Sequence, residues 1–249
     1  MLSTDEVHKI AALEQTHWWY RGTREICFSI LVPYVAGRDP IRILDIGCGT
    51  GGNLLKLATL GNARGIDVDP LCVDYCRRKG LTCTLGSVAQ LDLPSESFEL
   101  VTIFDVLTSV DADEREKGLA AAARALAPGG LLAIREPAMA VAAGAHDIAV
   151  DVRHRFTVSD MRSRLERSGL EPLRITYLNT LLFVPIVLYR RFQRIAMRNH
   201  AASDVRPTPE PLNAALLGLL RVEKQLLRHT DMPFGVSVFA VARKPRPRP

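Results

Sequence analysis

Aromatic side chains are scarce in this 249-residue sequence, at 6%, and neither sign of charge dominates: 32 Lys and Arg stand against 27 Asp and Glu, a formal net charge of +5. So small an excess, part of it in the Pro-interrupted tail RKPRPRP from Arg243 to Pro249, argues against a nucleic-acid partner. The five cysteines follow no regular framework. Cys72 and Cys76 sit four apart, but no second Cys/His pair has metal-ligand spacing, so free thiols and no metal are expected. No apolar run is long enough to span a bilayer; the longest, Leu178 to Tyr189, contains Asn179 and Pro185. The opening MLSTDEVHKI lacks the basic and apolar regions of a secretory signal. Cytoplasm is the expected compartment.

What remains is the composition of a globular protein, 47% hydrophobic and 24% charged, with length for one α/β domain and an elaboration. Ser3 and Glu6 have capping-box spacing before a helical pattern that runs to about Gln15. The segment HWWYRGTRE, Pro33 and the turn GRDP follow. From Ile41 a strand and helix rhythm sets in: IRILDI, a Gly-rich turn, a helix from about Gly52 to Leu60, ARGIDV, a helix over 70–79, TCTL, ELVTIFDV, a helix from about Asp111 to Leu126, and LLAIRE. This alternation predicts a parallel sheet with helices on both faces. Ser159 and Gly169 bracket a further helix, and Leu173–Tyr177 and Gly235–Arg243 read as strands. The expected division is an N-terminal helical cap over 1–40 and an α/β domain over 41–249. Between the last two strands, about 178–230, lies an apolar-to-basic segment, a Pro-rich loop and an amphipathic helix from about Leu212 to Arg228, read as a lid.

The loop ILDIGCGTGGN spells G-x-G-x-x-G through Gly47, Gly49 and Gly52. In a dinucleotide fold its backbone N–H groups would meet a pyrophosphate, and Asp45, two residues ahead, would repel that ligand. Asp45 instead suits a cationic ligand, while the glycines let it pack against bare backbone. S-adenosylmethionine has an ammonium, a sulfonium and no phosphate. Asp67, which closes the second strand in GIDVDP, can accept ribose hydroxyls, as in NAD folds too.

In order and spacing LDIGCGTG, GIDVDP, VTIFDVL and LAPGGLLAI resemble the class I S-adenosylmethionine-dependent methyltransferases. The resemblance implies a Rossmann-like three-layer α/β/α sandwich whose seven-stranded sheet is parallel except for its last strand. It implies S-adenosylmethionine as methyl donor and S-adenosylhomocysteine as product. It sets Asp45, Gly47, Cys48, Gly49 and Asn53 around the methionine moiety and Asp67 and Val68 at ribose and adenine. Ser87 and Val88 take the adenine, Ser87 standing where many relatives have Asp, and Asp105 ends the fourth strand at the ligand edge. HWWYRG-type segments precede the glycine loop in one branch of the family, which makes His17, Trp18, Trp19, Tyr20, Arg21 and Arg24 donor or acceptor contacts; the Trp pair could equally be core packing.

Methyl transfer from a sulfonium mainly needs alignment and exclusion of water, with a base for a hydroxyl acceptor. The Glu-His found after the fourth strand in several relatives is replaced by Thr108 and Ser109, and no Asn/Asp-Pro-Pro-Tyr/Phe motif occurs. Glu136 after strand five, and His146 and His154 in the loop beyond it, are therefore the candidate catalytic groups. The greasy segment 181–198, with its arginines, could line an apolar acceptor pocket, face a second copy or rest on an anionic membrane. The expected function is methylation of a small apolar acceptor, oxygen first and nitrogen or carbon next, in natural-product or lipid-linked metabolism. A non-catalytic donor-binding module and an NAD oxidoreductase are the alternatives.

Overall fold

The computed structural model describes residues 2–38, 41–91, 93–144, 147, 151–196 and 206–247. Helices α1 (Thr4–Leu13) and α2 (Trp18–Val35) precede β1 (Arg42–Ile46), α3 (Gly52–Leu57), β2 (Asn62–Asp67), α4 (Pro70–Arg78), β3 (Cys83–Leu85), β4 (Phe98–Phe104), α5 (Ala112–Ala125) and β5 (Leu126–Pro137). The chain continues through α6 (Val158–Arg167), β6 (Glu171–Leu178), α7 (Phe183–Ala196), α8 (Glu210–Leu226) and β7 (Ser237–Arg243). The seven strands form one sheet in the order β3-β2-β1-β4-β5-β7-β6, and β7 alone runs antiparallel to its neighbours. This is the Rossmann-like sandwich that the family resemblance implies, and its parallel part is what the alternation predicts.

Near-continuous apolar strands are what a sheet covered on both faces requires. Leu44, Ile46, Val101, Ile103, Leu132 and Ile134 pack beneath α5 and α6. Ile43, Leu100, Phe104, Leu131, Ala133 and Phe239 face α2 and α8. Asp111 caps α5 in a full capping box with Glu114, and Thr157, not the expected Ser159, caps α6.

Two features depart from the sequence reading. HWWYRGTRE opens an 18-residue helix, with His17 as its N-cap and Pro33 in its last turn. Of the segment read as a lid, α8 belongs to the helical layer over the sheet. Asn213 Oδ1 accepts the Trp18 N–H (2.7 Å), and Glu223 accepts the N–H groups of Asn179 (2.5 Å) and Leu181 (3.0 Å) at the end of β6. A Cβ on Gly22 would meet Leu220 Cδ1 at 2.4 Å, so the glycine of HWWYRG is what lets α8 approach α2. No helix among the described residues is long and apolar enough to cross a membrane.

Candidate functional site

At the C-terminal ends of β1, β2, β4 and β5 lies a cavity of about 530 Å³. The glycine loop forms its floor. Gly47, Gly49 and Gly51 all adopt positive φ (73°, 54° and 94°), which explains glycine at these positions. A Cβ on Gly47 would strike Val106 Cγ2 at 2.1 Å, whereas one on Gly49 would meet nothing within 4 Å. The loop therefore packs tightly behind Gly47 and leaves room at Gly49.

Asp67 holds the loop in place. Its carboxylate accepts the Gly49 N–H (2.7 Å) and the Asp69 N–H (2.9 Å), and burial raises its pKa. It lines the cavity with lone pairs left for hydroxyl donors. Asp45 stands one layer back. It is 1% exposed and absent from the cavity walls; Thr102 Oγ1 donates to its Oδ1 (2.6 Å), while Oδ2 has no protein partner. Burial pushes its carboxyl up to about 7. Its charge thus acts through the loop, and not by forming the wall.

Gly47, Cys48, Gly49, Asn53, Asp67, Val68, Ser87, Val88, Asp105 and Arg24 all line this cavity. Half-exposed Val68 and the Ser87–Val88 turn form the rim on the β2 and β3 side. The cap closes the other side. Arg24 Nε donates to Asn53 Oδ1 (3.2 Å), its Nη2 to the Glu14 carbonyl (2.8 Å), and Glu14 pairs with Lys79. A Cβ on Gly52 would meet Glu14 Oε2 at 2.3 Å, so the third glycine serves contact between cap and loop.

A second cavity of about 220 Å³ adjoins the first and shares Leu2, Ile10, Tyr20, Asp105, Ser109 and Arg135 with it. At the seam Arg135 forms an ion pair with Asp105 and stacks 5.4 Å from the Phe104 ring. Burial, then the carboxylates of Glu6 and Asp105, raise the Tyr20 phenol well above its usual range. Trp19 lines the second cavity only. Deeper, Arg155 donates twice to Asp147 (2.8 and 2.6 Å), and Arg190 donates to the Ala142 carbonyl (2.5 Å) and lies 3.8 Å from Asp147.

Two of the expected catalytic groups, Glu136 and His154, line neither cavity. Glu136 is fully buried: its oxygens accept the N–H groups of Val106 (3.2 Å), Leu107 (2.9 Å) and Thr108 (3.0 Å), and burial raises its carboxyl to about 8. It caps the turn after β4. His154 lines neither cavity; its Nε2 lies 3.0 Å from Asp160 Oδ2 and its ring packs on Phe156 at 4.6 Å. His146 lies outside the described residues. Among the HWWYRG residues, His17 caps α2 and contacts Thr208 (3.1 Å), Trp18 packs into the core, and Arg21 pairs with Glu25 at the surface.

Sequence spacing also hid a cluster. Cys48 Sγ lies 3.3 Å from Cys83 Sγ and 3.8 Å from Cys76 Sγ, all three buried above Gly65, whose Cβ would come 2.5 Å from Cys48. The three come from the glycine loop, α4 and β3, and no sequence interval connects them. They fill the space over Gly65 as small apolar side chains do.

Residues 43–130 match the family model of the methyltransferase domain. Over those residues the chain carries a methyltransferase domain. Beyond that model, the methyltransferase-domain chain is 26% identical over 149 residues, 54% of its length, to the carboxy-S-adenosyl-L-methionine synthase of Alteromonas mediterranea. The match spans 61% of that relative. A S-adenosylmethionine-dependent methyltransferase from Archaeoglobus fulgidus superposes with a TM-score of 0.57 at 17% identity, covering 88% of this chain and 92% of that one. A [4+2]-cyclase superposes with a TM-score of 0.55 at 21% identity, covering 88% and 81%. These structural likenesses describe a shared fold.

Proposed function

We propose that the chain binds S-adenosylmethionine in the larger cavity and transfers its methyl group to a small organic acceptor held in the smaller one. The observation that carries this reading is the adjoining of the two cavities at Tyr20, Asp105 and Arg135 beside a glycine loop backed by Asp45. The fit to this donor rests on three features. Open space at Gly49 admits a ligand against bare backbone, the partnerless Asp45 Oδ2 supplies buried negative character, and Asp67 offers acceptors for ribose hydroxyls. A diphosphate in the same place would face two buried carboxylates.

When bound, the donor supplies an already activated methyl group. The chain's own residues then have to orient the acceptor and exclude water, and helices α1 and α2 close the cavity for that purpose. Tyr20, held protonated, can donate a hydrogen bond but cannot remove a proton. Asp105 is the half-exposed carboxylate at the seam, so one of its oxygens would accept the proton that a hydroxyl acceptor gives up on methylation. Oxygen is accordingly the first reading for the acceptor atom. The acceptor pocket has apolar walls in Leu2, Ile10, Trp19, Pro137, Val152 and Val236, with guanidinium groups at its depth. A mainly apolar molecule with a polar or anionic end suits it. The five cysteines, none of them paired, support a cytoplasmic reading.

Calorimetry with S-adenosylmethionine and S-adenosylhomocysteine, followed by S-adenosylhomocysteine release over a panel of phenols and hydroxy acids, tests the proposal. Binding of NADH in preference to either nucleoside would overturn it. A second reading is a domain that holds the donor without transferring its methyl group, since one fold carries many functions. It predicts tight donor binding and no S-adenosylhomocysteine with any acceptor.

A further inference from the structure

Helix α7 has two faces of different character. Its inner face includes Ile186, packed on the core, and buried Arg190, which lines the second cavity. Its outer face is apolar where a surface helix is ordinarily polar: Val184 is 58% exposed, Leu188 62% and Phe192 69%, one above the other on successive turns, with exposed Tyr189 beside them. From Phe183 to Ala196 the sequence carries Arg190, Arg191 and Arg194 and no acidic residue. No helix in the described chain spans a bilayer, α7 included.

We propose that α7 is an interfacial helix by which this protein docks on an anionic lipid bilayer. Exposed Val184, Leu188 and Phe192 would enter the boundary between headgroups and acyl chains, and exposed Arg191 beside them would meet lipid phosphates. Charge decides between this occupant and a second copy of the chain. Two α7 helices packed by their outer faces would bring the Arg191 guanidinium groups together with no carboxylate on the helix to answer them, whereas an anionic surface complements Arg191. Area points the same way, because a stable protein interface takes roughly 20–30 residues a side and this strip is a handful of side chains on one helix. Docked so, α7 sets the second cavity beside the bilayer through Arg190.

Sedimentation with vesicles tests this without any turnover, so its failure leaves the methyl-transfer reading untouched. The full chain should pellet with phosphatidylglycerol/phosphatidylcholine vesicles, release at high salt, and pellet at least tenfold less with phosphatidylcholine alone. Leu188→Ser with Phe192→Ser should remove at least nine-tenths of the binding, and Arg191→Ala should weaken it about fivefold. Val222→Ser, at an exposed apolar position on α8, should change nothing. An unshifted thermal melt and unchanged S-adenosylhomocysteine affinity would show that the α7 variants remain folded. The proposal is overturned if the wild-type chain ignores anionic vesicles, if the double variant binds them as well as wild type, or if the chain is a dimer without lipid that the double variant dissociates.

Discussion

Arg135 and Asp105 join the ends of β5 and β4 in an ion pair at the seam between the two cavities. The pair is asymmetric: the guanidinium is 11% exposed and the carboxylate 44%. Asp105 also holds φ at +60°, fixed by its own N–H donating to the Arg135 carbonyl at 2.7 Å. Asp105→Asn keeps a residue that tolerates this backbone and removes the charge. The buried guanidinium then loses its counter-charge, and the expected loss is about 1–3 kcal/mol of stability, scaled down for the exposure of Asp105. Urea unfolding checks it. Turnover of a hydroxyl acceptor should also fall by about 10²-fold while donor affinity stays within a factor of a few, because Asp105 is the proton acceptor in the proposed mechanism. Equal turnover in the variant would remove Asp105 from that role.

The glycine loop allows a separation of fold from binding. Gly47→Ala forces a Cβ into Val106 and occupies a positive φ, so both stability and donor binding should fall. Gly49→Ala meets no protein atom and costs only the left-handed conformation, about 1–2 kcal/mol. Its Cβ enters the space assigned to the donor. Calorimetry should therefore show a loss of S-adenosylhomocysteine affinity of tenfold or more in Gly49→Ala with a modest shift in melting. Retained affinity would move the ligand away from this wall.

The sheet was legible because β4, β5 and β7 carry near-continuous apolar runs and because Gly47, Asp67, Gly86 and Asp105 mark the ends of β1, β2, β3 and β4. The loop's ligand was legible from Asp45 and the glycines, although the carboxylate works from behind the wall. What could not be read was contact between distant elements. Cys48, Cys76 and Cys83 meet only once β3 lies beside β2, and Arg135 meets Asp105 only once β4 and β5 pair. The stripe Gly22, Thr23, Ile26, Cys27, Ile30 and Leu31 marks α2 at helical period, although Pro33 interrupts the pattern of a helix. Glu136 at the end of β5 and His154 in the loop beyond it are titratable groups on the ligand side in sequence, which a buried cap and a surface pair are as well.

Glu136 gives a test of that correction. Three N–H groups of the turn after β4 donate to it, and Glu136→Ala would leave them without an acceptor in the interior. A loss of about 3 kcal/mol or more is expected, visible as a lower urea midpoint. His154→Gln, by contrast, removes a half-exposed contact with Asp160 and should cost about 1 kcal/mol or less, with turnover preserved. A folded, inactive His154→Gln protein would restore the histidine to the mechanism.

Asp45 makes stability depend on pH in a defined direction. Its folded pKa of about 7 lies above the ordinary carboxyl value of 3.8, because burial disfavours the charged form. Between these values the folded protein holds a proton that the unfolded chain has released. The contribution is full below about pH 4 and is lost as pH rises through about 7, at up to about 1.4 kcal/mol per pH unit. Glu136 slopes the same way and the lowered Asp160 and Glu99 the opposite way, so the quantity to measure is the difference between wild type and Asp45→Asn. The amide can still accept from Thr102 and cannot ionise, so the variant should gain stability relative to wild type as pH climbs from 5 to 8 in a series of urea melts. A cationic donor near the ionised form favours deprotonation, so below pH 7 S-adenosylmethionine binding should release a proton to the buffer. Calorimetry in buffers of different ionisation enthalpy reads that proton directly, and its absence in the wild-type protein would mean that the ligand's charge is not felt at Asp45.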